Sequence, residues 1–483
     1  MKYLVIEAVG INPHLETAGE VVLRFVEEGH LVQFVFVGEG LPWVDCAFPS
    51  WLKWFGCSLE KRVAQFEAII ANRGARIIGC PQLSEQGMRA CRMFSDGFSG
   101  RLKDLKAYRY GCVQLGMGVA SSLISWAGDS QYDVVGNRQV ARRALLAAAM
   151  TYERALVAIQ SERPDAVVTF NGRFATCRAI VEAAATAQVP VLRHERGAVF
   201  DKFELFSEPL HSFAYVRRRI MEAWERANPD TREEVGHSFF ARRRSGDGIG
   251  WYSFVKGQVH GNVPERVPGV RRVVYFSSSD DEYAAISDTV EPGCWGEQLE
   301  TVHALIKVCE GYSDLELIVR VHPHIRIKST AERTRWGRIR GRNLRVIGPD
   351  SKVDSYGLLD SADVVVTYGS TIGIEATYWG KPSILLGPST YAGIDACFEP
   401  RTELDLARLL AGKDRIYAQP RERCLPYGHY YLTYGKQYSH YNPESLSAGT
   451  FLGHRLDWDV FPIRLFRKFG LGGLYNRIIQ VMR

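Results

Sequence analysis

The chain has 483 residues, 46% of them hydrophobic and 24% charged, with a formal net charge of +6. That composition supplies enough apolar material for two ordinary cores and excludes a disordered chain. The mild positive charge permits an anionic substrate or a membrane surface without calling for nucleic acid, and ten cysteines with no C-x-x-C pair or finger spacing fit reduced thiols in a cytoplasmic protein.

The first residues, Met1 to Glu7, carry an acid within their apolar run and soon reach Asn12-Pro13-His14, which is a first strand and loop and not a signal peptide. Nowhere do about 18 consecutive apolar residues occur, so no segment is expected to span a bilayer. The spacing predicts an amphipathic helix over Thr17 to Glu28 and a strand over Leu31 to Val37, an opening βαβ unit. Trp43, Phe48, Trp51, Trp54 and Phe55 either cover the sheet or form a lid on its substrate side. Ser58 to Arg73 reads as a helix and Ala75 to Ile78 as a short strand. Between Gln82 and Asp129 the glycines at 97, 100, 111, 116 and 118 interrupt every pattern, and no element is predicted. Asp133 to Ser161 is helical and Ala166 to Phe170 a strand closed by Asn171-Gly172-Arg173. Thr176 to Ala187 is the next helix, and the strand Val189 to Leu192 leads into His194-Glu195-Arg196-Gly197, polar groups at a strand's carboxyl edge.

From Asn228 to Asn262 the composition turns basic and glycine-rich, which is poor core material, and the linker between two domains is expected here. Arg242-Arg243-Arg244 within it is either a solvated face or a phosphate contact. A second αβ series starts at Val273 to Phe276, whose turn Ser277-Ser278-Ser279-Asp280-Asp281-Glu282 either presents hydroxyls and carboxylates to a cleft or caps the chain from Glu282 onward. Helix Glu297 to Glu310 precedes the strand Leu315 to Val321, which ends in His322-Pro323-His324. Pro323 forces His322 into an extended conformation at the strand's end. Helix Ser329 to Ile339 and strand Leu344 to Ile347 come next.

The stretch Asp363 to Gly387 is a compact strand, turn, helix and strand. Its turn carries Ser370 and Thr371, which either hold a phosphate with free helix N–H groups or merely cap the helix. Glu375 lies four residues beyond Thr371, on the same helical face, where a carboxylate can accept from a ribose diol or stand in solvent. The tail is rich in tyrosine from Tyr427 and ends in a basic, aromatic segment, Phe461 to Leu471, which either lies on an anionic membrane or packs as a terminal helix. The expected organisation is an amino-terminal domain over 1–245, a linker over 246–270, a second domain over 271–425 and a helical tail over 426–483.

This order of features resembles a GT-B glycosyltransferase, an α/β architecture of two Rossmann-like domains facing a central cleft. More narrowly it resembles the bacterial capsule-polysaccharide biosynthesis proteins, including the Kdo transferases. The His322-Pro323 pair is similar to the HP motif of bacterial sialyltransferases, and Ser370-Thr371 to their paired serine/threonine motif. The resemblance implies that both pairs, Pro323 included, contact the CMP part of a CMP-sugar. From their strand-end turns and helical face, Ser277, Ser278 and Glu375 are expected at the same nucleotide site, and His322 is expected to take part in catalysis by donating to phosphate oxygens. It implies a metal-independent transfer without a cofactor, from an acidic nucleotide-sugar to a surface polysaccharide or lipid-linked glycan; peripheral contact with the inner membrane is expected only if the basic segment 461–471 lies on it. One departure stands out: the acidic-acidic-glycine motif carrying the sialyltransferase base has no clear equivalent, and Glu195, with Asp201 behind it, is the candidate base. Two other activities fit related architectures, a teichoic-acid-type transfer of a polyol phosphate from a CDP donor and a nucleotide-sugar epimerisation. The scattered arginines speak against a nucleic-acid module.

Overall fold

The computed structural model describes residues 1–11, 13–44, 59–247, 255, 257–279, 283–286, 294–411, 416–445 and 448–456. The aromatic residues Phe48, Trp51, Trp54 and Phe55, the acids Asp280, Asp281 and Glu282, and the segment 461–471 lie outside them. Two units emerge, one comprising Met1–Ala127, Gln131–Pro209 and the chain from Gly435, the other Gly128–Ser130 and Leu210–Tyr434.

The first unit opens with β1 (Lys2–Glu7), α1 (His14–Glu27), β2 (Leu31–Phe36), α2 (Leu59–Ala71) and β3 (Arg76–Ile78). Three helices, α3 (Glu85–Gly97), α4 (Leu102–Ala107) and α5 (Leu115–Ala127), occupy the glycine-interrupted region where the sequence predicts nothing. Then come α6 (Arg138–Glu162), β4 (Ala166–Phe170), α7 (Ala175–Thr186), β5 (Val191–Arg196) and β6 (Lys202–Phe206). His194, Glu195 and Arg196 therefore sit within β5 and not in the loop after it, because β6 folds back and pairs with them antiparallel, Glu195 opposite Glu204.

The second unit begins with α8 (Phe213–Arg226) and α9 (Arg232–Arg244). The expected linker at 246–270 is thus a correction: the chain crosses at Pro209, and the basic run forms the last turn of a helix that belongs to the second unit. There Arg244 pairs with Asp360 and lies 4.7 Å over the Trp379 ring, while Arg242 pairs with Asp247 at 2.7 Å, so the arginine triplet docks a helix and cations complete its carboxyl end. The series continues as β7 (Arg271–Phe276), α10 (Gln298–Glu310), β8 (Leu315–Arg320), α11 (Thr330–Gly337), β9 (Leu344–Ile347), α12 (Ser355–Ser361), β10 (Val364–Thr367), α13 (Ile372–Tyr378), β11 (Ser383–Leu385), α14 (Glu403–Ala411) and α15 (Leu425–Thr433). The described part of the tail is helical only to Thr433. Beyond it, β12 (Lys436–Gln437), β13 (Tyr441–Ser445) and β14 (Ala448–Phe451) are strands of the first unit.

Each unit is built on one main sheet. The first is seven-stranded in the order β12-β6-β5-β4-β1-β2-β3, and the second is five-stranded and parallel in the order β11-β10-β7-β8-β9. In both, the chain runs outward from the unit's first strand, then crosses back and continues on that strand's other side, which is the doubly wound Rossmann order. The expected α/β class with a Rossmann-like sheet in each half is the fold observed. Apolar β-branched strands such as Val273-Val274 and Val364-Val365-Val366 are buried on both faces, as a sheet covered by helices on each side requires.

A buried acid explains the return of the tail. Glu20 of α1 is wholly buried, and its carboxylate accepts the backbone N–H groups of Ser439 (2.9 Å), His440 (2.7 Å) and Tyr441 (3.1 Å) and pairs with Arg24 at 2.7 Å. Charge-assisted bonds of this kind are the strong ones. Glu20→Gln, which keeps the shape and removes the charge, should therefore cost about 2–4 kcal/mol in urea unfolding of the full chain. Glu27→Gln, which breaks only an exposed pair with His440, should stay within about 0.5 kcal/mol.

Candidate functional site

In the second unit Thr367 stands opposite Phe276, and Phe276 opposite Arg320, so β10, β7 and β8 end in one row. The loops that leave them open at one carboxyl edge, and the winding reverses between β7 and β10, where open α/β sheets bind ligands. Ser277 and Ser278, His322 and Pro323, and Ser370 and Thr371 are the residues of these three loops.

Their local bonds differ. The Ser277 hydroxyl accepts the His322 N–H at 2.8 Å and so ties the β7 loop to the β8 loop. Gln298, buried on α10, holds the next residue, taking the Ser278 N–H at 2.6 Å and the Tyr275 hydroxyl at 3.1 Å. The Ser278 hydroxyl is itself buried without a hydrogen-bond partner among the described residues. A buried polar atom left unpaired at a strand end calls for a ligand or water.

His322 is extended, with φ −59° and ψ 131°, as the sequence predicts, and Pro323 opens a 3-10 turn over Pro323–Ile327. The imidazole Nδ1 accepts the His324 N–H at 3.2 Å, so a neutral ring carries its proton on Nε2 and is a donor there. One residue that sequence reasoning missed stands two positions earlier. Arg320 is buried, donates to the carbonyls of Val321, Gly348 and Ser351, and has no carboxylate partner among the described residues; burial lowers its guanidinium to about 10. A buried cation without a counter-ion makes this strand end favourable to an anion.

At the β10 turn Gly369 is required by space, since a Cβ would stand 2.5 Å from the Pro388 carbonyl and 2.8 Å from the Tyr283 hydroxyl. The carbonyl of Ser370 accepts the Tyr391 hydroxyl at 2.6 Å, and the Ser370 side chain is half-buried. Thr371 is the N-cap of α13, and its side chain makes no cap hydrogen bond. Glu375, expected to meet a ribose, is wholly buried: one carboxylate oxygen pairs with Arg243 at 2.9 Å and the other accepts the Tyr356 hydroxyl. The i,i+4 relation to Thr371 holds, but that face of α13 is packed against α9 and α12. Glu375 holds the Arg243 guanidinium still more firmly protonated, and burial beside Glu375 pushes the Tyr356 phenol up.

No family model matches the sequence, and no curated protein matches it. Among solved structures, similarity is found to Thermosulfurimonas dismutans KpsC, a β-Kdo 2,4-transferase, at 17% identity, with 55% of this chain and 79% of that chain covered and a TM-score of 0.37. The β-Kdo 2,7-transferase of KpsC from the same organism gives 13%, 57%, 80% and 0.34. MurG of Acinetobacter baumannii gives 12%, 92%, 97% and 0.26. Similarity at this level assigns no activity.

The candidate bases belong to the first unit. Glu195, half-buried near the end of β5, accepts from the Asn171 amide at 2.6 Å and from the Arg196 N–H at 3.0 Å, which fixes its carboxylate beside the β4 turn. Asp201 lies in the β5–β6 turn, where its carbonyl accepts the Tyr438 N–H at 3.2 Å. A third group went unread in the sequence. His14, at the start of α1, lies with its ring 3.8 Å from that of Phe170, the last residue of β4, and so stands where β1 and β4 reverse the winding. Burial holds this imidazole well below its usual value, and Arg196 and His194 add to the effect. Next to it Glu7 and His194, both buried, meet at 2.6 Å. The signal available was a polar residue just beyond the first strand. Among the described residues, no helix is long and apolar enough to cross a membrane.

Proposed function

We propose that the chain is a glycosyltransferase of the GT-B plan that takes an acidic sugar from a CMP-linked donor to a surface polysaccharide or a lipid-linked glycan. The observation that carries this reading is the row of strand ends at the β7/β10 reversal. The loops leaving that row carry Ser278 with an unpaired hydroxyl, His322 with a donor at Nε2 and the Ser370 turn, and Arg320 ends β8 as a buried cation. These groups suit a phosphate: hydroxyl and imidazole donate to its oxygens, whose charge grows as the sugar departs. The His322-Pro323 and Ser370-Thr371 pairs supply the preference for CMP by their resemblance to the sialyltransferase motifs. A carboxylate or imidazole of the first unit takes the acceptor's proton. A lipid-linked acceptor would draw the chain to a membrane surface through the basic segment 461–471.

Calorimetric titration of CMP into the wild type, His322→Ala, Ser370→Ala and the double variant tests the site. Both single changes should weaken CMP, and because they act on one anion their effects should be coupled by about 0.5–3 kcal/mol. Additive losses of thermal stability with unchanged CMP affinity would make these residues structural and remove the donor site. Incubated with CMP-, UDP-, GDP- and CDP-linked donors one at a time, the chain should release nucleotide from the CMP-linked sugar alone. Transfer of a polyol phosphate from a CDP donor, or epimerisation without an acceptor, would replace the activity proposed.

A further inference from the structure

The second unit carries another concavity, which shares no residue with the strand-end loops above. Between α8, the loop 392–395 after β11 and the short turn Arg421–Cys424, a groove of about 640 Å³ is lined by Arg217, Arg218, Met221, Asp395 and Arg423 among others. Its volume falls within the range of small-molecule sites, roughly 300–1,000 Å³. Three guanidinium groups and one carboxylate give it a net positive wall.

Two of the arginines are held by the loop itself. Arg217 donates to the Ala392 carbonyl at 2.8 Å, and Arg423 donates to the Asp395 carbonyl at 2.9 Å and to the Gln419 side chain at 3.1 Å. The loop can do this because it is bent by two left-handed residues, Gly393 at φ +74° and Asp395 at φ +58°. Glycine suits 393 because its φ lies where residues with a side chain are rarely found, and aspartate is one of the few other residue types that visit this region readily. The guanidinium groups are thus ordered before any ligand arrives, which lowers the entropy lost on binding.

We infer that this groove binds an acidic saccharide, with Arg217 and Arg423 taking a sugar carboxylate and Asp395 accepting sugar hydroxyls. Guanidinium forks match carboxylate geometry, and arginine is the residue suited to that contact. The alternative occupant of an arginine groove, a compact phosphate, would fill only a small part of the volume and leave the Asp395 carboxylate without sugar hydroxyls to accept from. Met221, 37% exposed, adds an apolar surface for the C–H face of a ring. The inference goes beyond the donor site and does not rest on it, because no residue is common to the two.

Titration of the full chain with an oligogalacturonate, with a maltooligosaccharide of equal length and with inorganic phosphate tests it. The carboxylated sugar should bind, more weakly as salt rises, and the neutral one should not. Arg217→Ala and Arg423→Ala should each weaken it at least about tenfold, as loss of a charge-assisted contact does, while CMP affinity stays unchanged. Arg217→Lys, which keeps the charge and loses the fork, should fall between. Should either alanine variant fail to fold, Met221→Trp fills the groove from an exposed position and should block the oligogalacturonate at unchanged thermal stability. Absence of binding, equal binding of both saccharides, wild-type affinity in folded variants, or phosphate matching the saccharide would each overturn the assignment.

Discussion

Glu195→Gln should lower the proposed sugar transfer at saturating donor by at least about 100-fold and leave CMP affinity as it is, since removing a general base typically costs that much and the residues proposed to hold the donor belong to the other unit. The substitution is close to isosteric, and the Arg196 N–H can still bond to the amide oxygen, so the fold is expected to survive. Near-normal turnover would move the role to His14 or Asp201, and a pH profile separates these. Burial, Arg196 and His194 keep His14 neutral to lower pH than a free imidazole. A base must be deprotonated to act, so an acid limb set by His14 would lie below the usual imidazole range, and activity would persist to more acid pH than solvent-exposed histidine allows. His14→Gln should then abolish both that limb and the turnover. If Asp201→Asn alone were inactive, the base would belong to the β5–β6 turn.

What could be read from the residues was the chain's apolar periodicity and the polar ends of its strands. Val273 to Phe276, Leu315 to Arg320 and Val364 to Thr367 are strands because they are short, apolar and rich in β-branched residues. The extended conformation of His322 was legible because proline imposes it locally. Features set by distant partners were not. Gly116 reads as a breaker, yet it lies inside α5 because its bare Cα packs against the chain at Tyr108, where a Cβ would meet a carbonyl at 2.7 Å. The amphipathic pattern of Thr17 to Glu28 says nothing of Glu20; only the return of residues 439–441, more than four hundred positions later, gives its carboxylate three N–H partners. The arginines at 242–244 look like linker because periodicity cannot tell a basic helix end that caps and docks from a charged loop. His14 stayed unread because a lone histidine acquires meaning only from the strands that end around it.

Glu375 offers the sharpest contrast between the two kinds of information, and its ion pair should be worth about 3–5 kcal/mol when broken from the side that leaves a charge buried. The two halves of the pair are unequal: the Glu375 side chain is wholly buried, whereas the Arg243 side chain is 34% exposed. Arg243→Met strands a carboxylate that water cannot reach, with only the Tyr356 hydroxyl left to it, and should show the full loss. Glu375→Gln leaves a cation that can turn to solvent and should cost less, about 1–2 kcal/mol. Urea unfolding of the full chain reads both losses directly. Had Glu375 been a ribose ligand, Glu375→Gln would instead reduce CMP affinity at nearly unchanged stability; that outcome would return the residue to the nucleotide site.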